Sequence, residues 1–136
     1  MASTCLFCRI IAREIPAGII YENEHVLAFL DIGPVSEGHA LVIPKEHADN
    51  LSAGSAASAE AIMKAVHYLA PKIMEAVGAA GYNLGMNHGV VAGQEVMHTH
   101  VHIMPRKDGE PRSFAKTHPT PEVIAQVAEK ITSLLA

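Results

Sequence analysis

The sequence has no surplus of basic residues: 10 Lys and Arg stand against 14 Asp and Glu, a formal net charge of −4. A chain of that sign lacks the electrostatic footprint of a nucleic-acid binder, so no polymer is expected as partner and any phosphate it handles belongs to a small molecule. It also lacks an apolar run near the eighteen or so residues that cross a bilayer, and MASTCLFCRI lacks the basic-then-apolar order of a secretory signal. No membrane partner and a cytoplasmic location are the expectations. Only two cysteines are present. Spaced Cys5-x-x-Cys8, they would close a tiny loop, so chemistry is expected of them rather than cross-linking. There is no internal repeat, and no low-complexity tract beyond the Ala/Ser patch at Ser52–Ala59.

What the chain does have is 49% apolar residues over 136 positions, enough for one packed core and one domain, 1–136. Leu6, Phe7, Ile10 and Ile11 have helical spacing, predicting a short helix over Leu6–Glu14 that Pro16-Ala17-Gly18 stops. Ile19–Tyr21 and His25–Asp31 are β-rich runs joined by Glu22-Asn23-Glu24, a hairpin, and His39–Pro44 is a third strand after the Gly33-Pro34 break. Ile62, Val66, Leu69, Ile73 and Val77 mark one face of a long helix from Ser58 to Val77, which Pro71 should kink or split. Tyr82–Asn87 and His98–Pro105 follow as strands around a small-residue loop, Gly89–Gly93. Thr120, Pro121 and Glu122 are an N-cap, an N1 proline and a first-turn acid, opening a helix through Val123, Val127, Ile131 and Leu134. The order predicts an α+β domain: a five-stranded antiparallel sheet with one long helix and two shorter ones. Such a sheet has edges to cover, which a homodimer would do.

The chemistry concentrates in His98-Thr99-His100-Val101-His102-Ile103-Met104-Pro105. On a strand, His98, His100 and His102 line one face roughly 6–7 Å apart while Val101 and Ile103 enter the core. Imidazole suits nucleophilic and acid–base work near neutral pH. Two other uses stay open: polar residues on an exposed sheet face, or a metal site completed by a third ligand.

In these residues the chain resembles the histidine triad (HIT) nucleotide-binding family, of bacterial or archaeal type. Ala28-Phe29-Leu30-Asp31-Ile32, Gly38-His39-Ala40-Leu41-Val42-Ile43-Pro44-Lys45, Asn87 and Gly93-Gln94 resemble its other signatures, so the likeness runs from about Leu6 to Arg106. It departs at Thr99, more polar than usual, and at Glu95, where many members have a small hydroxyl residue. A carboxylate there would repel an anionic substrate, so either its side chain points away or the leaving-group preference is altered. The resemblance implies that His100 is the nucleophile, that His102 or His39 moves the proton, and that Asp31, with Ile32 beside it, binds the ribose. It implies that Asn87 and the amides around Gly93, Gln94 and Glu95 cradle phosphate, and that Phe7, Ile10 and Leu27 wall the base. It transfers no function to 107–136, for which packing or dimer contact is expected.

The activity so implied is hydrolysis of purine nucleoside 5′-phosphoramidates or related conjugates to the mononucleotide through a covalent nucleotidyl-histidine, needing no catalytic cofactor. The alternatives are a dinucleoside polyphosphate hydrolase, a nucleotide-binding scaffold with incidental hydrolysis, and a zinc hydrolase using the histidine row directly. Some bacterial members also resemble this chain in pairing two cysteines with two histidines, here Cys5, Cys8, His47 and His98. That implies a closed structural zinc site; redox chemistry or simple burial of the thiols are the rivals.

Overall fold

The computed structural model describes residues 4–135. Its sheet has the order β1 (Ile19–Glu22), β2 (Val26–Leu30), β3 (Ala40–Pro44), β5 (Val101–Arg106), β4 (Gly81–Gly85), every neighbouring pair antiparallel. Three helices, α1 (Leu6–Ile11), α2 (Ala56–Val77) and α3 (Pro121–Thr132), complete the α+β architecture.

Strands β2 and β3 are buried at every position, because both faces of the sheet are covered. Val26, Ala28, Leu30, Ala40 and Val42 point to α2 and α3, joined there by Val101 and Ile103 of β5. Leu27, Phe29, Leu41 and Ile43 point the other way, under Phe7 and Ile10 of α1. Register pairs Leu41 with His102, so His102 opens onto the α1 side.

The helix ends follow local chemistry. Ser55 and Thr120 accept from the N–H groups of Ser58 and Val123, and Gly78, at φ 73°, closes α2 in the left-handed region. α1 stops at Ile11, three residues short of the expected end, because Arg13 takes φ 62° and turns the chain before Pro16 is reached. α2 corrects the expectation about Pro71: it runs unbroken for 22 residues. Pro71 and His67, whose carbonyl loses its partner, are both exposed, so the unpaired carbonyl is open to solvent and not buried. Among the described residues no helix is long and apolar enough to cross a membrane.

Candidate functional site

Strand β5 begins only at Val101, so the expected row of three imidazoles along one strand is corrected: His98 and His100 precede it. Thr99 is the reason. Its N–H and hydroxyl donate to the Ala48 carbonyl at 2.9 and 3.3 Å, tying the segment to the loop after β3. The polar residue in the apolar repeat thus anchors the backbone, and it parts the histidines. His98 faces Cys5, Cys8 and His47, whereas His100 and His102 face a cleft.

In the first cluster, His98 Nδ1 lies 3.4 Å from Cys5 Sγ and 3.6 Å from Cys8 Sγ, and His47 Nδ1 lies 3.3 Å from Cys8 Sγ and 3.1 Å from His98 Nδ1. His98 Nε2 is 2.8 Å from the Pro44 carbonyl, which only accepts, so the ring proton is on Nε2. His47 Nε2 is held likewise by Asp49 Oδ1 at 3.2 Å. Both Nδ1 lone pairs then face each other and two sulfurs, four ligand atoms turned toward one point where a cation could sit. Zn–S and Zn–N bonds of about 2.3 and 2.05 Å give a tetrahedron ligand–ligand edges of roughly 3.3–3.8 Å, close to the spacings here. The donor set fits zinc, and each imidazole has the outer partner that metal-ligating histidines carry. Burial also lowers the His98 pKa, outweighing the Pro44 bond and keeping the ring neutral.

The second cluster is a set of fixed tautomers. His100 Nδ1 lies 2.7 Å from the His98 carbonyl, so it carries the proton and leaves Nε2 with a lone pair. Val35 N–H donates to His39 Nδ1 at 3.0 Å, so the His39 proton is on Nε2. That Nε2–H donates to His102 Nδ1 at 2.9 Å, which puts the His102 proton on Nε2, the atom left for the cleft. The His100 and His102 rings stand 5.0 Å apart, one offering a lone pair and the other an N–H. Phe7 meets His100 edge-on at 5.1 Å. Burial pushes the His102 pKa down to about 4, with His100 and His39 adding to the effect and Asp31 and Glu95 opposing it. Burial lowers His39 as well, against the pull of Asp31. Both rings are therefore neutral near pH 7, as their hydrogen bonds require.

The cleft has a volume of about 590 Å³, the size of a small-molecule site. Phe7, Ile10, Ala17 and Phe29 make an apolar wall; Asp31, Asn87, His39, His100 and His102 bring polar groups into it. Ile32 lies at the rim, 80% exposed. Asp31 Oδ1 accepts from Gly33 N–H at 2.8 Å, and its Oδ2 is 3.7 Å from His39 Nε2.

Two expectations are corrected here. Leu27 is fully buried beneath α1 and is no part of the cleft lining, whereas Phe29, two residues on along the same face of β2, reaches it. The Gly93 and Gln94 amides bond to the carbonyls of Val90 and Gly89, so the turn itself consumes them. Gln94 is an internal brace, 3% exposed, accepting from Gly89 N–H and donating to the carbonyls of Asp49 and Val96. Gly93, at φ 96°, lines the cleft beside Asn87.

The Glu95 side chain lines the cleft and pairs with Lys116 Nζ at 3.0 Å. Lys116 and Phe114 come from the C-terminal stretch expected to pack or to make dimer contact. Thr117 ties that stretch to the Pro34 carbonyl through its N–H, at 2.9 Å, and its hydroxyl, at 2.6 Å. Its one sequence signal is Phe114, a lone phenylalanine in a polar, aperiodic run.

Residues 12–109 match the HIT domain family. The chain is 42% identical to the Protein hit of Bacillus subtilis, over 99% of this chain and 97% of that one. It is 40% identical to an adenosine 5′-monophosphoramidase of Schizosaccharomyces pombe, over 96% and 97%. A zinc-bound histidine triad family protein from Mycobacterium smegmatis superposes with a TM-score of 0.89 at 33% identity, covering 97% of this chain and 93% of that one.

Proposed function

Because the chain belongs to the HIT domain family, we propose that it is a nucleotidyl hydrolase cleaving purine nucleoside 5′-phosphoramidates or related conjugates, with His100 as nucleophile. One observation carries the proposal: His100 and His102 lie side by side in opposite tautomers, an Nε2 lone pair beside an Nε2–H. Phosphoryl transfer needs an in-line nucleophile and a donor to the non-bridging oxygens, and these two rings supply them. The phosphoramidase activity of the S. pombe relative supports the choice of bond.

His100 Nε2 forms a bond to the α-phosphorus while the P–N bond breaks. Its electron pair goes to the leaving nitrogen, which has taken a proton from solvent and departs as an amine. The developing imidazolium is stabilised by the His98 carbonyl on Nδ1–H, and His102 Nε2–H donates to a non-bridging oxygen. The His39 chain holds His102 Nδ1 as an acceptor, so His102 serves as a donor in its neutral form and His39 positions it. Water then attacks phosphorus, loses its proton to solvent, and the P–Nε2 pair returns to His100. Asp31, with two oxygens, suits the ribose hydroxyls, and the apolar wall suits the base. Mass spectrometry of protein quenched during turnover tests the covalent step: a nucleotidyl adduct on His100 is expected, and its absence with adducts on no other residue would remove the mechanism.

The same proposal includes a structural zinc on Cys5, Cys8, His47 and His98, supported by their spacing and tautomers. Zinc there would tether α1 to the segment that carries His100. A thiolate site suits a reducing compartment, hence the cytoplasm. Metal analysis expects one zinc per chain; under about a tenth of an equivalent would remove it. A homodimer through the β4 edge completes the proposal, because Tyr82 and Leu84 of that strand are 40% and 43% exposed. Its solution mass should be twice 14.5 kDa. A dinucleoside polyphosphate hydrolase would use the same apparatus, and leaving-group assays separate the two.

A further inference from the structure

We propose that the Glu95–Lys116 pair is the leaving-group selector of the cleft, favouring conjugates whose leaving group is a cationic amine and disfavouring anionic ones. The inference rests on the hydrolase proposal above and names its substrate class.

Glu95 follows the turn at Gly93 and faces the cleft, and its charge reaches His102, whose pKa it raises. It therefore lines the same cleft as His100 and His102, the two rings that would meet the phosphate. Lys116 reaches it from the other bank, its stem passing over Gly33, where a Cβ would lie 3.4 Å from Lys116 Cδ. Phe114 and Lys116 are held there by the Thr117 bonds to Pro34 and by Arg106, which donates to the Ser113 carbonyl at 2.7 Å and stacks on Phe114 at 4.8 Å. The strap 113–117 is thus a fastened wall of the cleft, and the ion pair spans its mouth.

The pair is exchangeable. Both side chains are more than half exposed, 57% for Lys116 and 74% for Glu95, and an exposed pair of this kind is weak. A bound α-phosphate brings negative charge toward Glu95 and draws Lys116 from it. A leaving group carrying an ammonium then takes the vacated place beside Glu95, so each charge keeps a partner. An anionic leaving group leaves Glu95 facing like charge at close range. Discrimination is thus set by the identity of the charged pair, not by the P–N bond.

Adenosine 5′-phosphoramidates of 2-aminoethylamine, propylamine and glycine share that bond and differ in leaving-group charge. The wild type should rank them cation, neutral, anion by kcat/KM, with about tenfold between the extremes. Glu95→Gln should compress the span to within about twofold. The double exchange E95K with K116E keeps an ion pair, and with it any purely structural role, yet should invert the order. A wild-type span below twofold, or an exchanged protein that keeps the wild-type order, overturns the selector. Failure of the wild type to hydrolyse any of the three overturns the hydrolase proposal instead, and the same ranking is then read from the Kd of each intact conjugate. An unranked set of Kd values overturns the selector as well.

Discussion

At the scale of single residues, protons decide what each histidine can do. His98, His100 and His39 are each assigned a tautomer by a backbone partner that can only accept or only donate, and His39 passes the assignment on to His102. His100→Ala should lower kcat at least about a thousandfold while changing the Kd for AMP less than about threefold; single-turnover kinetics and calorimetry check both. The type of residue was legible at His100 and His102, where period-two spacing and the surrounding apolar run mark a site, and at Asp31 through the family resemblance alone. Leu27 was not, because an apolar residue on a strand looks the same whether it faces a pocket or a helix. The direction of Glu95 was equally hidden, since its partner Lys116 lies 21 residues on.

At the scale of elements, two consequences follow. Pro71 interrupts the backbone bonding of an otherwise regular α2 on its exposed face. Pro71→Ala should therefore stabilise the protein by about 1 kcal/mol, the helix gain being partly offset by greater freedom of the unfolded chain. Urea midpoints read it, and an unchanged midpoint would show that water already makes good the missing bond. α1 is only six residues long, and Cys5 is its N-cap, so Cys5 holds both the helix and the cluster. Chelation should lower the Tm by on the order of 10 °C. It should also reduce turnover, because His98 supplies the carbonyl that orients His100. Full activity in chelated, zinc-free protein would show that the tether is dispensable.

At the scale of the whole molecule, burial of the neutral histidine pair makes stability depend on pH. The folded-state pKa of His102 lies at about 4, and that of His39 is also lowered from 6.5. A depressed histidine means that the unfolded chain binds the proton first. The stabilisation is fully present above about pH 6.5 and is lost as pH falls toward 4. For His102 alone the loss between pH 8 and pH 5 should be about 2 kcal/mol, discounted somewhat because its ring reaches the cleft. Comparing wild type with His102→Gln at both pH values isolates it, since any metal contribution is common to the two proteins. Equal pH slopes would show that the ring titrates as freely in the folded protein as in the unfolded one.

Local pattern alone carried most of the element order and the period-two histidines, because periodicity and capping act within a few neighbours of one residue; Asp31, Asn87 and His39 were legible only through the family resemblance. Tertiary structure alone decided how the three histidines divide between two clusters, that the turn consumes the Gly93 and Gln94 amides, and that 113–117 forms the far wall of the cleft. Those outcomes rest on bonds such as Thr99 to Ala48 and Thr117 to Pro34, made between segments far apart in the chain, where spacing along the sequence holds no information about distance in space.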